Sequence, residues 1–200
     1  MTKTLKNTAA VVALMAGFAL PSAAMATIYT NDTDVAIPAE GSVSSDIVIA
    51  DAGSIASITV EAGIDHTWIG DLLITLESAD GTEIVLMDRP GVPASTFGNS
   101  DDLSAGNPLI FDDASLVAAE TANGGGTYGP DDALASLFGE SLAGTWTLHI
   151  EDLAGGDAGL LDYWSLNINW EIVDAPEPAA LGLMGLGLVG MGFAARRRKA

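Results

Sequence analysis

Residues 144–172 read GTWTLHIEDLAGGDAGLLDYWSLNINWEI. Two runs in this stretch alternate strictly between apolar and polar side chains, the period of a β-strand with one buried face. The first run places Trp146, Leu148 and Ile150 on one face. The second run places five apolar side chains on one face: Trp164, Leu166, Ile168, Trp170 and Ile172. The glycines between the runs are typical of a turn, so the stretch predicts two amphipathic strands packed on a core.

The same alternation recurs upstream. An Asp80-Gly81 pair between two apolar runs predicts a β-hairpin. A long stretch, Arg89–Gly144, is irregular and rich in glycine and proline. The further predicted strands are Val43–Ile49, a strand with Ala56, Ile58 and Val60 facing inward, Leu72–Leu76, Pro108–Phe111, and Glu83–Asp88, which is apolar on both faces and is predicted to be central. Short strands without helical periodicity predict an all-β protein, an antiparallel β-sandwich or jelly roll.

The charge of the chain is strongly uneven. Within Thr27–Ala175 there are 26 acidic residues, and Arg89 is the single basic residue. Such a surface repels nucleic-acid phosphates and anionic lipid headgroups, which argues against both as partners. It is typical either of a soluble protein outside the cell or of a protein that binds divalent cations. No cysteine is present, so disulfides and thiol chemistry are excluded.

The sequence predicts no catalytic residue. A serine nucleophile needs a neighbouring base, and the chain has only two histidines, His66 and His149. Both are predicted to be structural. Carboxylates are so frequent that no pair stands out as the acid and nucleophile of a glycosidase.

Calcium is the favoured chemical hypothesis, because it binds several carboxylate and carbonyl oxygens on flexible loops. The candidate ligands flank one short loop segment: Asp101, Asp102, Asp112 and Asp113. Asp71 and Asp88 are predicted to approach them. The alternative is that these are solvated loop carboxylates, since no EF-hand spacing is present.

Residues 1–26 have the three parts of a secretory signal peptide. Lys3 and Lys6 precede the apolar run Ala9–Leu20, and small residues follow it. Ala24 and Ala26 form the A-x-A pair, so signal peptidase is predicted to cut after Ala26 and release Thr27.

The C-terminus has a second targeting pattern. The uncharged segment Ala179–Ala195 precedes three arginines and a lysine, which predicts a short membrane-spanning helix with its basic end in the cytoplasm. Directly before it stand Pro176, Glu177 and Pro178. These parts, over residues 176–200, closely resemble the PEP-CTERM sorting signal. The resemblance implies removal of the tail by an exosortase near this motif, in a Gram-negative bacterium that makes exopolysaccharide. A plain single-pass anchor is the alternative.

The central segment, residues 27–175, carries a second resemblance. Its matching blocks are HTWIGDLLITL (66–76), SADGT (78–82), FDD (111–113), GTWTL (144–148), GDAGLL (156–161) and WSL (164–166). Their order is similar to the P domain, or Homo B domain, of proprotein convertases, over Ile47–Val173. Ala79, where the family often has proline, and the long loop before Gly144 depart from it. The resemblance implies an eight-stranded jelly roll that stabilises and tunes a neighbouring protease and has no catalytic residues of its own.

These patterns predict a non-catalytic protein, exported by the general secretory route and held transiently in the inner membrane. It would then reside at the cell surface or in the extracellular matrix as a binding or structural module. One alternative is an accessory or regulatory subunit of an extracellular subtilisin-like protease. Another is a polysaccharide-active enzyme. The predicted partners are signal peptidase, an exosortase, and either exopolysaccharide or an extracellular protease, with calcium as the one candidate cofactor.

Overall fold

The computed structural model describes residues 24–172. The predicted signal peptide lies outside them except for Ala24–Ala26, and so do Pro176, Glu177, Pro178 and the predicted membrane helix. Within residues 24–172, no helix has the length and apolar character needed to cross a membrane.

Ten strands in these residues form two sheets. They are β1 Ala24–Asn31, β2 Val35–Ile37, β3 Gly41–Ile49, β4 Ser54–Asp65, β5 Leu72–Glu77, β6 Glu83–Asp88, β7 Leu109–Phe111, β8 Gly126–Tyr128, β9 Gly144–Asp152 and β10 Gly159–Glu171. One sheet has the order β1-β10-β4-β7-β8, with β2 also paired to β10, and the other has the order β3-β9-β5-β6. Every pairing is antiparallel except that of β7 with β8. The all-β, antiparallel prediction is confirmed.

The two predicted strands of residues 144–172 are β9 and β10, and each lies in the interior of its sheet. Their predicted inward faces are buried in one apolar core that takes residues from both sheets. Trp146 and Trp164 are each 0% exposed. The indole N–H of Trp164 donates to Ser45 Oγ on β3 at 3.0 Å, so a buried hydrogen bond joins the sheets. Ile172 is an exception: it lies beyond the end of β10 and is 44% exposed.

The inward face of β4 is predicted wrongly at one position. Ile58 and Val60 are buried, but Ala56 is exposed and Ile55 is buried in its place. The register explains the change, because Ser57 pairs with Asn169 and Ile55 pairs with the next residue of β10. Ala56 is therefore the extra residue of a β-bulge, which exchanges the two faces of the strand beyond it.

The hairpin predicted at Asp80-Gly81 joins β5 to β6, and Gly81 has the positive φ of 85° that such a turn favours. The central position predicted for β6 is wrong, since β6 is the edge of the four-stranded sheet. Its free edge is instead covered by a loop: the N–H of Asp132 donates to Val85 O at 2.9 Å, and Asp132 Oδ2 accepts from the N–H of Val85 at 3.1 Å. An edge strand covered in this way can be apolar on both faces.

Candidate functional site: an acidic and aromatic cleft

The four predicted calcium ligands have separate surroundings. Asp113 accepts hydrogen bonds from the N–H groups of Leu134 and Ala135 at 2.9 and 2.7 Å, so its carboxylate holds the 3-10 turn Leu134–Leu137. Asp112 Oδ1 accepts from the N–H of Ala114 at 2.9 Å. These contacts use the carboxylates to fix local backbone.

Asp101 and Asp102 lie in an exposed loop beside β4. The loop is tied to the end of β4 by two hydrogen bonds between the backbones of His66 and Leu103, of 3.2 and 2.8 Å. Across residues 24–172, no three histidine or carboxylate side chains are grouped so that they could hold a metal ion. Calcium binding by these four residues stays a prediction.

His66 has a structural role, since it forms a buried contact with Asp152. It directly follows β4, and its ring lies against Asp152, the last residue of β9. The distance from His66 Nε2 to Asp152 Oδ2 is 3.2 Å, and both side chains are completely buried. Because a carboxylate only accepts, Nε2–H donates to Asp152, while the N–H of Trp68 donates to His66 Nδ1 at 3.1 Å. The pair thus joins the two sheets at one end.

Asp71 lies beside this pair, at the end of the 3-10 turn Ile69–Asp71, and is only 4% exposed. Burial raises the pKa of Asp71 and the negative charge of Asp152 raises it further, while the positive charge of Arg89 opposes them; Asp157 and His66 have smaller effects, of opposite sign to each other. Asp71 is one of the few buried charged side chains of the domain.

Asp71 lines a surface cleft of about 480 Å³. The other lining residues are Trp68, Phe97, Ala154, Gly155 and Asp157, which come from three loops. Phe97 is 67% exposed, and its carbonyl oxygen accepts from the indole N–H of Trp68 at 2.6 Å. Asp157 Oδ1 accepts from the hydroxyl of Thr67 at 2.5 Å. We call the cleft lined by Asp71 and these five other residues the aromatic cleft; Thr67 is not part of its lining.

Two glycines allow the Phe97 loop to reach the cleft. A Cβ on Gly70 would lie 2.5 Å from the nitrogen of Asn99, and one on Gly98 would lie 2.7 Å from the Cα of Gly70. Both distances are shorter than side chains tolerate, and Gly98 also has a φ of 65°. The N–H of Gly70 donates to Asn99 O at 2.9 Å across this contact. The Gly70-Asp71 pair of the sequence therefore positions both the buried carboxylate and the aromatic wall.

A second polar group lies on the solvent face of the four-stranded sheet. His149 Nδ1 lies 2.8 Å from Ser44 Oγ, and His149 Nε2 lies 3.1 Å from Glu77 Oε2. The residue types match a nucleophile, a base and an orienting acid. Sequence reasoning missed the group, because its members come from β3, β9 and β5, whose adjacency is visible only in the strand order. β9 lies between β3 and β5, so the backbone N–H groups around His149 are committed to the sheet.

A third group is a pair of carboxyls, Glu120 and Asp131. Burial, a hydrogen bond to Asp131 and the negative charges of Asp131 and Asp88 raise the pKa of Glu120 to about 7. The pKa of Asp131 is also raised, mainly by burial. The two groups share a proton more readily than isolated carboxyls do.

Comparison with known proteins agrees with this fold. The model of the proprotein convertase P-domain family matches residues 55–168. The chain therefore belongs to the proprotein convertase P-domain family. The PEP-CTERM protein-sorting motif matches residues 174–199.

Curated relatives share the central segment. The chain is 30% identical over 135 residues to the calcium-dependent protease of a Nostoc species, covering 66% of this chain and 17% of that protein. It is 30% identical over 141 residues to the transglutaminase-activating metalloprotease of Streptomyces mobaraensis, covering 70% and 14% respectively. The chain thus spans a small part of the length of these relatives.

Among solved structures, the serine protease of Aeromonas sobria in complex with its chaperone is similar in fold. The TM-score is 0.50 at 19% identity, and the match covers 76% of this chain and 28% of that one.

Proposed function

We propose that this protein is a non-catalytic binding or structural module, exported to the cell surface or the extracellular matrix. One observation carries the proposal: a P domain and a PEP-CTERM motif follow one another in the same chain, at residues 55–168 and 174–199. The P domain has a cleft between its loops, and the PEP-CTERM motif is a sorting signal.

The proposed route begins with general secretion and with cleavage after Ala26 by signal peptidase. The cut would fall within β1, and the strand that remains from Thr27 stays paired with β10, up to Asn31 opposite Trp164. The segment around residues 179–195 would hold the domain in the inner membrane of a Gram-negative cell. An exosortase would then remove the tail near Pro176, Glu177 and Pro178 and release the domain to the surface.

Intact-mass analysis of the exported protein tests this route. The expected species begins at Thr27 and lacks Arg196–Arg198. In a strain without the exosortase, the tail should be retained. A product that keeps the arginines in a strain with an active exosortase would overturn the sorting proposal.

A second candidate is an accessory or regulatory subunit of an extracellular protease. It is favoured by the relatives, which are named as proteases and match this chain over only 14–17% of their length. Co-purification of the tagged, exported protein from the host medium should then enrich a protease, and the activity of that protease should change when the tagged protein is removed.

A polysaccharide-active or esterolytic enzyme is the least supported candidate, and only the Ser44–His149–Glu77 group favours it. Incubation with the host exopolysaccharide and with p-nitrophenyl acetate tests it. The non-catalytic proposal expects Ser44→Ala to behave like the unchanged protein in both assays. A loss of turnover specific to Ser44→Ala would replace that proposal with an enzymatic one.

A further inference from the structure

Asp71 is mostly buried, and its carboxyl group accepts no hydrogen bond within the described residues. The residue is only 4% exposed. Leu153 N–H donates to the main-chain oxygen of Asp71 instead, at 2.9 Å. Within residues 24–172, no side-chain oxygen or nitrogen that is shut off from solvent lacks a hydrogen-bond partner, so the carboxyl oxygens of Asp71 are the part of this side chain that still reaches solvent. The unused oxygens of Asp71 border the aromatic cleft.

The neighbouring Arg89 does not neutralise Asp71 by direct contact. Arg89 lies close enough to affect Asp71, but its Nε–H donates to Gly70 O at 3.1 Å. The ion pairs of the described residues are two, and both are made by histidines, so Arg89 forms none with Asp71. Asp152, which is paired with His66, and Asp157 add negative charge close to Asp71. The cleft is therefore short of positive charge.

The walls of the cleft are suited to an organic cation. The aromatic residues Trp68 and Phe97 both line the cleft, and the hydrogen bond from the Trp68 indole N–H to Phe97 O holds them together. A cation above an aromatic face is attracted by the ring quadrupole, more strongly where water is excluded. A planar guanidinium can stack on such a wall and pair with a carboxylate through two N–H groups, which an ammonium cannot do.

We propose that the aromatic cleft binds an arginine side chain of a partner protein, with the guanidinium paired to Asp71 and stacked against Trp68 and Phe97. Asp157 contributes further negative charge at the rim. The proposal deepens the proposed function, on which it rests, since it names the chemistry that the binding module recognises. A neutral sugar could stack on the same aromatic wall, but it would leave the negative charge of the cleft uncompensated.

The test uses the purified full-length chain and the peptide acetyl-Gly-Arg-Gly-amide. Its matched control peptide carries citrulline, which has nearly the same shape without the charge. The tryptophan fluorescence reports binding, because Trp146, Trp164 and Trp170 are buried and Trp68 is at the cleft. Calorimetry gives the Kd independently. The arginine peptide should bind at least about tenfold more tightly than the citrulline peptide.

Two variants locate the site. Asp71→Asn should weaken arginine binding at least about tenfold, and Phe97→Ala should weaken it about fivefold. Phe138→Ala is the matched control, because Phe138 is an exposed phenylalanine, 46% exposed, that does not line the cleft. It should leave the Kd unchanged. Thermal melts of each variant show that the fold is retained, and the Phe97 variant is at an exposed position where truncation is tolerated.

Equal affinity for the two peptides, or arginine binding that neither cleft variant weakens, would overturn the proposal. So would binding of a neutral oligosaccharide, such as cellohexaose, that Phe97→Ala abolishes while the arginine peptide does not bind. None of these outcomes changes the mass of the exported protein, so failure here is distinct from failure of the sorting route.

Discussion

His66 and Asp152 are 86 residues apart in the chain, yet Nε2 of the first lies 3.2 Å from Oδ2 of the second with both side chains fully buried. His66 follows the end of β4 in one sheet, and Asp152 ends β9 in the other. The N–H of Ala154 donates to the second oxygen of Asp152 at 3.0 Å, so the carboxylate is satisfied from both sides. This pair fixes the end of the domain where the loops of the aromatic cleft meet.

Asp152→Ala is expected to destabilise the domain by about 3 kcal/mol, because it leaves a buried imidazole N–H without an acceptor. The chain contains a matched comparison. His149 and Glu77 form a similar contact of 3.1 Å, but their side chains are 39% and 41% exposed. Glu77→Ala should therefore cost less than about 1 kcal/mol. Urea melts measure both, and equal losses would show that burial does not strengthen the first pair.

Trp146→Ala and Trp164→Ala should each cost about 3–5 kcal/mol, because both side chains are fully buried. Each indole N–H is also hydrogen-bonded, to Leu142 O at 3.1 Å and to Ser45 Oγ at 3.0 Å. Phe138→Ala, at an exposed position, should change the free energy of unfolding by less than about 0.5 kcal/mol. If the tryptophan variants melted like the control, the assigned inward faces of β9 and β10 would be wrong.

The Glu120–Asp131 pair predicts a dependence of stability on pH. The pKa of Glu120 rises from 4.5 to about 7 in the folded protein, so the folded state binds the proton more tightly than the unfolded chain. The stabilisation is fully present below pH 4.5 and is lost as the pH rises through about 7. Because both side chains are partly exposed, the loss should be no more than about 1 kcal/mol.

Glu120→Gln mimics the protonated carboxyl and should remove this loss, which makes the variant more stable than the unchanged protein at pH 8. Glu151→Gln, at an exposed position of β9, is the control. Thermal melts at steps from pH 4 to pH 8 measure the effect. Parallel pH curves for Glu120→Gln and the unchanged protein would contradict the shared proton.

Comparing the effects of different cations on the melting temperature tests whether the predicted ligands bind calcium. Any divalent cation should stabilise so acidic a domain by screening, but a true site saturates and discriminates. Calcium should shift the melting temperature more than magnesium at equal concentration, because magnesium resists dehydration. At about tenfold excess over its Kd, calcium would add about 1.4 kcal/mol.

The double variant Asp102→Asn, Asp112→Asn should remove the calcium-specific part of that gain. Sodium chloride at matched ionic strength provides the baseline for screening. Equal shifts by calcium and magnesium would eliminate the site and leave only an acidic, solvated surface.

Local patterns in the sequence were sufficient for seven of the ten described strands and for most of the core, whereas β1, β2 and β8 were not predicted. The alternation in residues 144–172 determined which faces of β9 and β10 are buried, because burial of a strand follows a period of two residues. The Asp80-Gly81 pair located the hairpin for an equally local reason, the backbone angles that the turn requires. The resemblances to the P domain and to the sorting motif also rested on contiguous residues.

Only the tertiary structure decided where each strand lies in its sheet and which loops meet. β6 reads as a central strand, because a loop covers its free edge, and the bulge at Ala56 depends on the pairing of β4 with β10. Trp68, Phe97 and Asp157 are far apart in sequence and share a cleft because the contact between Gly70 and Gly98 and the buried His66–Asp152 pair bring their loops together. Such long-range contacts depend on how the whole chain buries its apolar surface, so no local pattern of residues encodes them.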